Sequence, residues 1–329
     1  MRAVVITKPG GPEVLAVETR PTPAPAQGEI LVRVYASALN RADLLQREGL
    51  YPAPAGAPSD IPGLEFAGEV ARLGAGVAGW RVGDRVFGVV PGGGHAEYLV
   101  AHGSTVARMP DHLSWTDAAA IPEAFITAHD ALVTQASVAA GETVLIYAVG
   151  SGVGLAATQL ARVWKALPYG TARTAGKIDR AREYGLIEGI VVADDVDSLP
   201  ARIERLIGGQ GVNVTIDLVG GPYVDASVRA AAARGRIMLV GTIGGRAATV
   251  PLGIVLGKRL TLRGTVLRGR SIDEKRVVTA AFAKEVVPLF ASGALRPTID
   301  TVFELSDIRA AHERLAENAT FGKIVLRTR

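Results

Sequence analysis

The chain of 329 residues contains no cysteine. Disulfides, thiolate nucleophiles, Cys-ligated zinc and Cys-held iron–sulfur clusters are therefore excluded. No uncharged apolar run approaches the roughly 18 residues of a membrane span, and that of the N-terminal MRAVVITKPGG is far too short for a signal peptide. A cytosolic, non-membrane protein is expected. Aromatics make up only 5% of the chain, and the 36 Lys and Arg are scattered among 32 Asp and Glu. The net charge of +4 forms no basic patch, so a nucleic-acid partner is not expected. His95, His102, His112, His129 and His312 never fall at H-x-x-x-H or H-x-H spacing, and no metal site is expected. No Ser-His-Asp arrangement can be read. Ser151 lacks the flanking glycines of a nucleophile elbow, because Val149 and Val153 stand there. The stretch Gly170 to Lys177 fails as a P-loop: Ile178 stands where a Ser or Thr would hold magnesium. Internal repeats, low-complexity tracts and long linkers are absent.

What is present is organised in two rhythms. Up to about residue 120, short Val-, Ile- and Tyr-rich runs (Arg2–Ile6, Ile30–Ala36, Phe66–Leu73, Arg85–Val90, Ala96–Val100) are punctuated by Gly, Pro and Asp, which predicts strands. Pro21, Pro23 and Pro25 keep their segment extended. From Asp117 to Ser137 apolar residues recur at helical spacing. Alternation follows: strand Thr143–Ala148, helix Val153–Lys165, helix near Asp179–Tyr184, strand Ile190–Ala193, helix Leu199–Ile207, strand Val212–Val219, helix Tyr223–Ala233, strand Arg236–Gly241, and a short strand near Leu260–Gly264. Such alternation predicts a doubly wound parallel sheet. A long helix over Asp273–Ser292, a strand near Thr301–Glu304, a helix capped by Ser306 and a strand Lys323–Leu326 complete the chain.

The most informative segment is TVLIYAVGSGVGLAATQLARVW, an apolar strand that runs into glycines and then directly into a helix. From Gly152 the spacing is G-x-G-x-x-A, ending at Ala157. In that pattern the first glycine permits a tight turn, the second (Gly154) lets a pyrophosphate approach, and the third small residue lets helix pack on strand. The phosphates would meet the free N–H groups of the helix start. About 20 residues further on, an NAD site requires Asp or Glu for the ribose hydroxyls. Here Arg173, Thr174 and Lys177 precede any acid. Two cations and a hydroxyl suit a 2′-phosphate, so NADPH is favoured over NADH. Elsewhere, polar groups concentrate at Asn40-Arg41-Ala42-Asp43, Tyr51 and Glu65.

Seven stretches, in order along nearly the whole chain, carry a family resemblance: SALNRADLLQREGLYP (37–52), IPGLEFAGEV (61–70), PGGGHAEY (91–98), AAAIPEAFITA (118–128), SGVG (151–154), DLVGG (217–221) and FGKIVL (321–326). The chain resembles the zinc-free quinone oxidoreductases of the medium-chain dehydrogenase/reductase superfamily, in particular the tumour-suppressor-inducible, zeta-crystallin-like branch. The resemblance implies an α/β fold with a GroES-like β-rich catalytic domain (1–122 and 293–329) and a doubly wound Rossmann domain (123–292). It also implies NADPH in the crevice between them and a homodimer. Where zinc-dependent relatives carry a Cys ligand and Gly-His-Glu, this chain has Asn40 and Gly63-Leu64-Glu65, which implies no metal.

By position, Asn40, Asp43 and Tyr51 would line the substrate side as the catalytic group. Thr127 would lie by the nicotinamide. Ser151, Gly152, Val153 and Gly154 would hold the pyrophosphate, and Arg173, Thr174 and Lys177 the 2′-phosphate. Gly241 and Leu267 would border the nicotinamide pocket, with Asn318 and Lys323 at its tail-side edge. Val192 stands where relatives place a Tyr against adenine, and the first helix of the Rossmann half lacks its usual terminal Gly.

The implied activity is reduction of quinones or related conjugated carbonyls by NADPH, as hydride or single electrons. The protonated Tyr51 phenol and the Asn40 amide would donate to the oxygen that becomes negative. A 2-enoyl or alkenal reductase is the alternative enzyme. A non-catalytic NADPH- or RNA-binding module is the alternative of another class.

Overall fold

The computed structural model describes residues 1–192 and 195–328, which group into two units: Met1–Ile126 with Leu267–Arg329, and Thr127–Val266. The first unit begins with the antiparallel pair β1 (Arg2–Ile6) and β2 (Leu15–Thr19), followed by β3 (Glu29–Ala38) and the short helix α1 (Arg41–Arg47). Next come β4 (Glu65–Leu73), β5 (Arg85–Val89), β6 (Tyr98–His102), β7 (Val106–Arg108), α2 (Trp115–Ala119) and α3 (Pro122–His129), within which the unit boundary falls. Ile30, Val32 and Val34 alternate along β3 and are fully buried with Phe66, Val70 and Val86, the period of two expected of a strand with one face in a core.

The second unit alternates strand and helix: β8 (Thr143–Ile146), α4 (Gly152–Val163), β9 (Leu167–Ala172), α5 (Ala175–Arg182), β10 (Glu188–Val191), α6 (Leu199–Ile207), β11 (Val212–Asp217), α7 (Pro222–Ala230), β12 (Ala231–Leu239), α8 (Leu252–Lys258) and β13 (Thr261–Gly264). The strands are parallel, in the order β10-β9-β8-β11-β12-β13. The order reverses between β8 and β11. At such a switch point the strand ends leave an open crevice, the usual place for a nucleotide in a doubly wound sheet.

The chain then returns to the first unit with α9 (Ile272–Glu285), α10 (Val287–Ala291), β14 (Ile299–Glu304), α11 (Ile308–Ala316) and β15 (Lys323–Arg327). Its main sheet runs β14-β15-β3-β4-β5-β7, with β6 also paired to β3.

Several local expectations are corrected. The domain edge expected at residue 293 falls at 267. The reason is the apolar face of α9 and α10: Phe282 packs on Phe87 of β5 with ring centroids 5.8 Å apart, and Phe290 on Phe125 at 4.8 Å. The single long helix over Asp273–Ser292 is two, because Pro288 in the first turn of α10 cannot donate to a continuing helix ladder. Strand β9 has no counterpart among the expected elements, since Pro168 and Gly170 both weaken a strand pattern. It is held by parallel neighbours on both sides. Ser306 lies inside a 3-10 turn, and Asp307 is the N-cap residue of α11. Helix α4 ends at Val163, and Lys165 takes the left-handed conformation (φ 59°) usual for a terminal Gly. Ala193, expected to end a strand, lies outside the described residues.

Candidate active site

In the second unit, β8 passes through Tyr147–Gly150 to Ser151, the N-cap of α4, whose Oγ accepts from the Gly154 N–H at 3.1 Å. The Leu155 N–H bonds the Ser151 carbonyl at 2.9 Å. The N–H groups of Gly152 and Val153 lie in the first turn of α4, where N–H groups have no partner within the helix. Gly154 also meets a packing requirement. A Cβ there would lie 2.6 Å from the Ala148 oxygen and 2.8 Å from the Val149 Cα. Its small size serves close packing of α4 on the strand-to-helix turn. Ala157 is fully buried one turn on.

Beside β8, β9 ends at Ala172 and delivers Arg173, Thr174 and Lys177 at the start of α5. Arg173 and Thr174 are exposed, and Thr174 is the N-cap residue of α5 with its side chain free of a capping bond. Tyr223, at the start of α7, senses the charge of Arg173. Val192 is buried with Tyr147, Ile190 and Leu199 in the core of this unit. Thr127, on α3, is nearly buried. Gly241 lines a surface depression with Leu239, Val240, Thr242, Gly264, Thr265 and Val266.

In the first unit the sequence-predicted residues fall into two groups. The first group is a buried ionic cluster. The ammonium of Lys323, on β15, sits 2.6 Å from Glu65 Oε1, 2.6 Å from Asn40 Oδ1 and 2.8 Å from the Leu39 carbonyl. Asn40 Nδ2 donates to Glu65 Oε1 at 2.9 Å, and the Glu123 N–H donates to Glu65 Oε2 at 2.8 Å. Glu65 is wholly buried, and Lys323 is 5% exposed. Lys323 forms an ion pair with Glu65 here. The Asn40 amide is committed to this cluster.

Asp43, the third residue of α1, is also wholly buried. Its carboxylate accepts from the Asn40 N–H at 2.7 Å and the Gly63 N–H at 3.0 Å. Gly63 has φ 102°, and a Cβ on it would lie 2.4 Å from the His95 nitrogen, so only glycine lets this loop reach Asp43. His95 bonds Ser37 Oγ at 2.9 Å and lies 3.9 Å from Asp43. Burial holds both His95 and His312 down to about 3, so each is neutral. Asp43 therefore braces the loop beneath the site and offers no oxygen to solvent. Asn318 caps the end of α11 with φ 58° and accepts from Arg41.

The second group surrounds Tyr51. Arg268 donates to the carbonyls of Tyr51 at 3.0 Å and Pro91 at 2.7 Å and to Gln46 Oε1 at 2.6 Å, and its guanidinium lies 4.9 Å from the centre of the Tyr51 ring. Burial raises the Tyr51 phenol, more than the Arg268 charge lowers it, so it stays protonated at neutral pH. Arg268, Leu267, Lys275 and Glu123 line one small cavity with Leu64, Val89 and Val90. Sequence reasoning singled out neither Glu123 nor Arg268. Glu123 lies within the AAAIPEAFITA stretch but was given no role there, and Arg268 lies in a segment without a motif.

Among the described residues no group of three or more His, Asp or Glu is placed to hold a metal ion. No helix among them is long and apolar enough to cross a membrane.

Two family descriptions match the chain: alcohol dehydrogenase GroES-like domain over residues 26–111, and zinc-binding dehydrogenase over residues 152–284. Quinone oxidoreductase of Lama guanicoe is 31% identical over 99% of this chain and 97% of its own length. That of Pseudomonas aeruginosa is 33% identical over 96% of each. The crystal structure of Escherichia coli quinone oxidoreductase complexed with NADPH superimposes with a TM-score of 0.89 at 30% identity, covering 99% of this chain and all of that one. The alternating parallel sheet, the β-rich first unit and these likenesses along the full chain have one reading: the protein belongs to the quinone oxidoreductases of the medium-chain dehydrogenase/reductase superfamily, a family of oxidoreductase enzymes.

Proposed function

We propose that this protein reduces quinones or related conjugated carbonyls with NADPH and without a metal. The observation that carries the cofactor assignment is the end of β9, the parallel neighbour of β8, where Arg173, Thr174 and Lys177 follow with no acid among them. An NAD-type site would place a carboxylate there to accept from the ribose hydroxyls, and a carboxylate would repel a 2′-phosphate. The N–H groups of Gly152 and Val153, with the Ser151 cap, receive the pyrophosphate. Thr127 and Gly241 take their proposed places by the nicotinamide. The quinone oxidoreductase of Escherichia coli, solved with NADPH, supports the same reading.

Bound NADPH supplies the hydride. The protein positions the acceptor and stabilises the oxygen that becomes negative. Tyr51 provides the stabilisation, because its phenol is protonated and its ring is held by Arg268. Asn40 and Asp43 act as positioning residues beneath it. A zinc ion does not fit the residues present. The Lys323 ammonium already occupies the oxygen cluster of Asn40 and Glu65, and a dication there would meet a cation instead of a thiolate or imidazole. A cytosolic homodimer is part of the proposal. Strand β13 ends its sheet and is exposed along its whole length, with Leu262 at 46%, beside the exposed Leu252 and Leu256 of α8. An uncovered apolar sheet edge of this kind suits pairing with a second copy.

The experiment is calorimetric titration with NADPH and NADH. Each charge-assisted phosphate contact contributes about 1.5–3 kcal/mol. Arg173→Ala with Lys177→Ala should therefore weaken NADPH about 10²-fold or more and leave NADH nearly unchanged. Equal losses for both nucleotides would refute the assignment. A panel of quinones, enones and enoyl thioesters then identifies the acceptor.

A further inference from the structure

Reduction of a quinone or enone oxygen needs a proton as well as a hydride, and Tyr51 alone would be left as a phenolate if it gave up its own. We propose that Glu123 delivers that proton, with Tyr51 orienting the acceptor oxygen and Arg268 tying the two together. The inference rests on the reductase reading above and adds to it the acid.

The geometry distinguishes the two carboxyl groups of this region. Glu65 is surrounded by donors: the Lys323 ammonium, the Asn40 amide and the Glu123 N–H. Three donors, one of them cationic, favour its ionised form against the burial that raises it. Glu123 contributes only its N–H to that cluster. Its own carboxyl has no hydrogen-bond partner among the described residues and is partly exposed, lining the cavity otherwise walled by Leu64, Val89, Val90 and Leu267. The charged and titratable groups facing it are Glu65, Asp43, Lys323, Arg268 and Lys275, with Tyr51 close enough to feel its charge. Burial first, and then the charge of Glu65, push Glu123 up to about 8. It therefore holds a proton at neutral pH. Two adjacent carboxyls, one set among donors and the other without any, are an arrangement suited to supplying a proton.

Atoms and electrons balance in this step. The acceptor takes two electrons and one hydrogen as hydride from the reduced nicotinamide, leaving an anionic oxygen held by the Tyr51 hydroxyl. The Glu123 O–H bond breaks and an O–H bond forms on that oxygen. The resulting Glu123 carboxylate is offset by Arg268 and Lys275 in the same cavity, and water restores the proton.

The test combines kinetics with a direct view of the carboxyl. In the wild type, kcat with NADPH and a quinone should be level below about pH 8 and fall tenfold per pH unit above it, because the acid form is required. Glu123→Gln should lower kcat about 10²-fold and abolish that alkaline limb. In infrared difference spectra without cofactor or substrate, the C=O band of a protonated carboxylic acid should disappear between pH 6 and pH 9.5 in the wild type and be missing from Glu123→Gln. Full activity in Glu123→Gln with an unchanged pH profile would overturn the proton-donor role alone, as would a wild type whose band is absent at pH 6. A wild type that reduces no quinone or enone with NADPH would overturn the reductase reading itself.

Discussion

Replacing Lys323 by Met tests the central electrostatic claim, that one ammonium neutralises the buried Glu65. The side chains are similar in length, so the change removes a charge and three donated hydrogen bonds, to Glu65, Asn40 and the Leu39 carbonyl, while leaving most of the packing. Removing one partner of a buried pair leaves the other uncompensated, at a typical cost of about 3–5 kcal/mol. Glu65 has no exposed surface to escape to, so the upper part of that range is expected. The loss also depends on pH. Burial already raises Glu65 against the lowering effect of Lys323. Without Lys323 it rises further above its unfolded value of about 4.3. The variant then takes up a proton on folding, and its stability falls as pH rises above that unfolded value. Urea unfolding at pH 5 and pH 8 should accordingly show a larger deficit at pH 8. Adding Glu65→Gln should recover part of it, because a neutral amide needs no counter-charge. A deficit below about 1 kcal/mol at both pH values, the size of an exposed ion pair, would refute the argument.

Gly154→Val should destabilise the second unit and abolish nucleotide binding together, since its Cβ would meet the Ala148 oxygen at 2.6 Å. Unfolding monitored with and without NADPH checks this, and a stable variant that still binds would contradict the packing role. EDTA should leave NADPH-driven quinone reduction unchanged. A loss restored by zinc would overturn the metal-free proposal.

Local patterning carried much of the architecture. Alternating apolar runs and helical repeats made the doubly wound sheet legible, because strand and helix periods are written in neighbouring residues. The Ser151 to Gly154 turn and the basic segment from Arg173 were readable for the same reason: each is contiguous. Strand β9 is hidden in the sequence by Pro168 and Gly170, whose unfavourable propensities are overridden by parallel strands on both sides. The place of Lys323 is not legible there either, because its partners are Glu65 and Asn40, the latter 283 residues away.

From the chain alone came the fold class, the lack of any thiolate chemistry, the glycine turn ahead of α4 and the basic segment from Arg173, all of them properties of residues near one another in sequence. Only the folded structure decided that Gly154 serves packing, that Asp43 is a buried brace, that the Asn40 amide is committed to Lys323 and Glu65, and that Glu123 and Arg268 share a cavity. The charge state of a carboxyl depends on how many donors surround it and how little water does. Those quantities exist only once distant segments have been brought together.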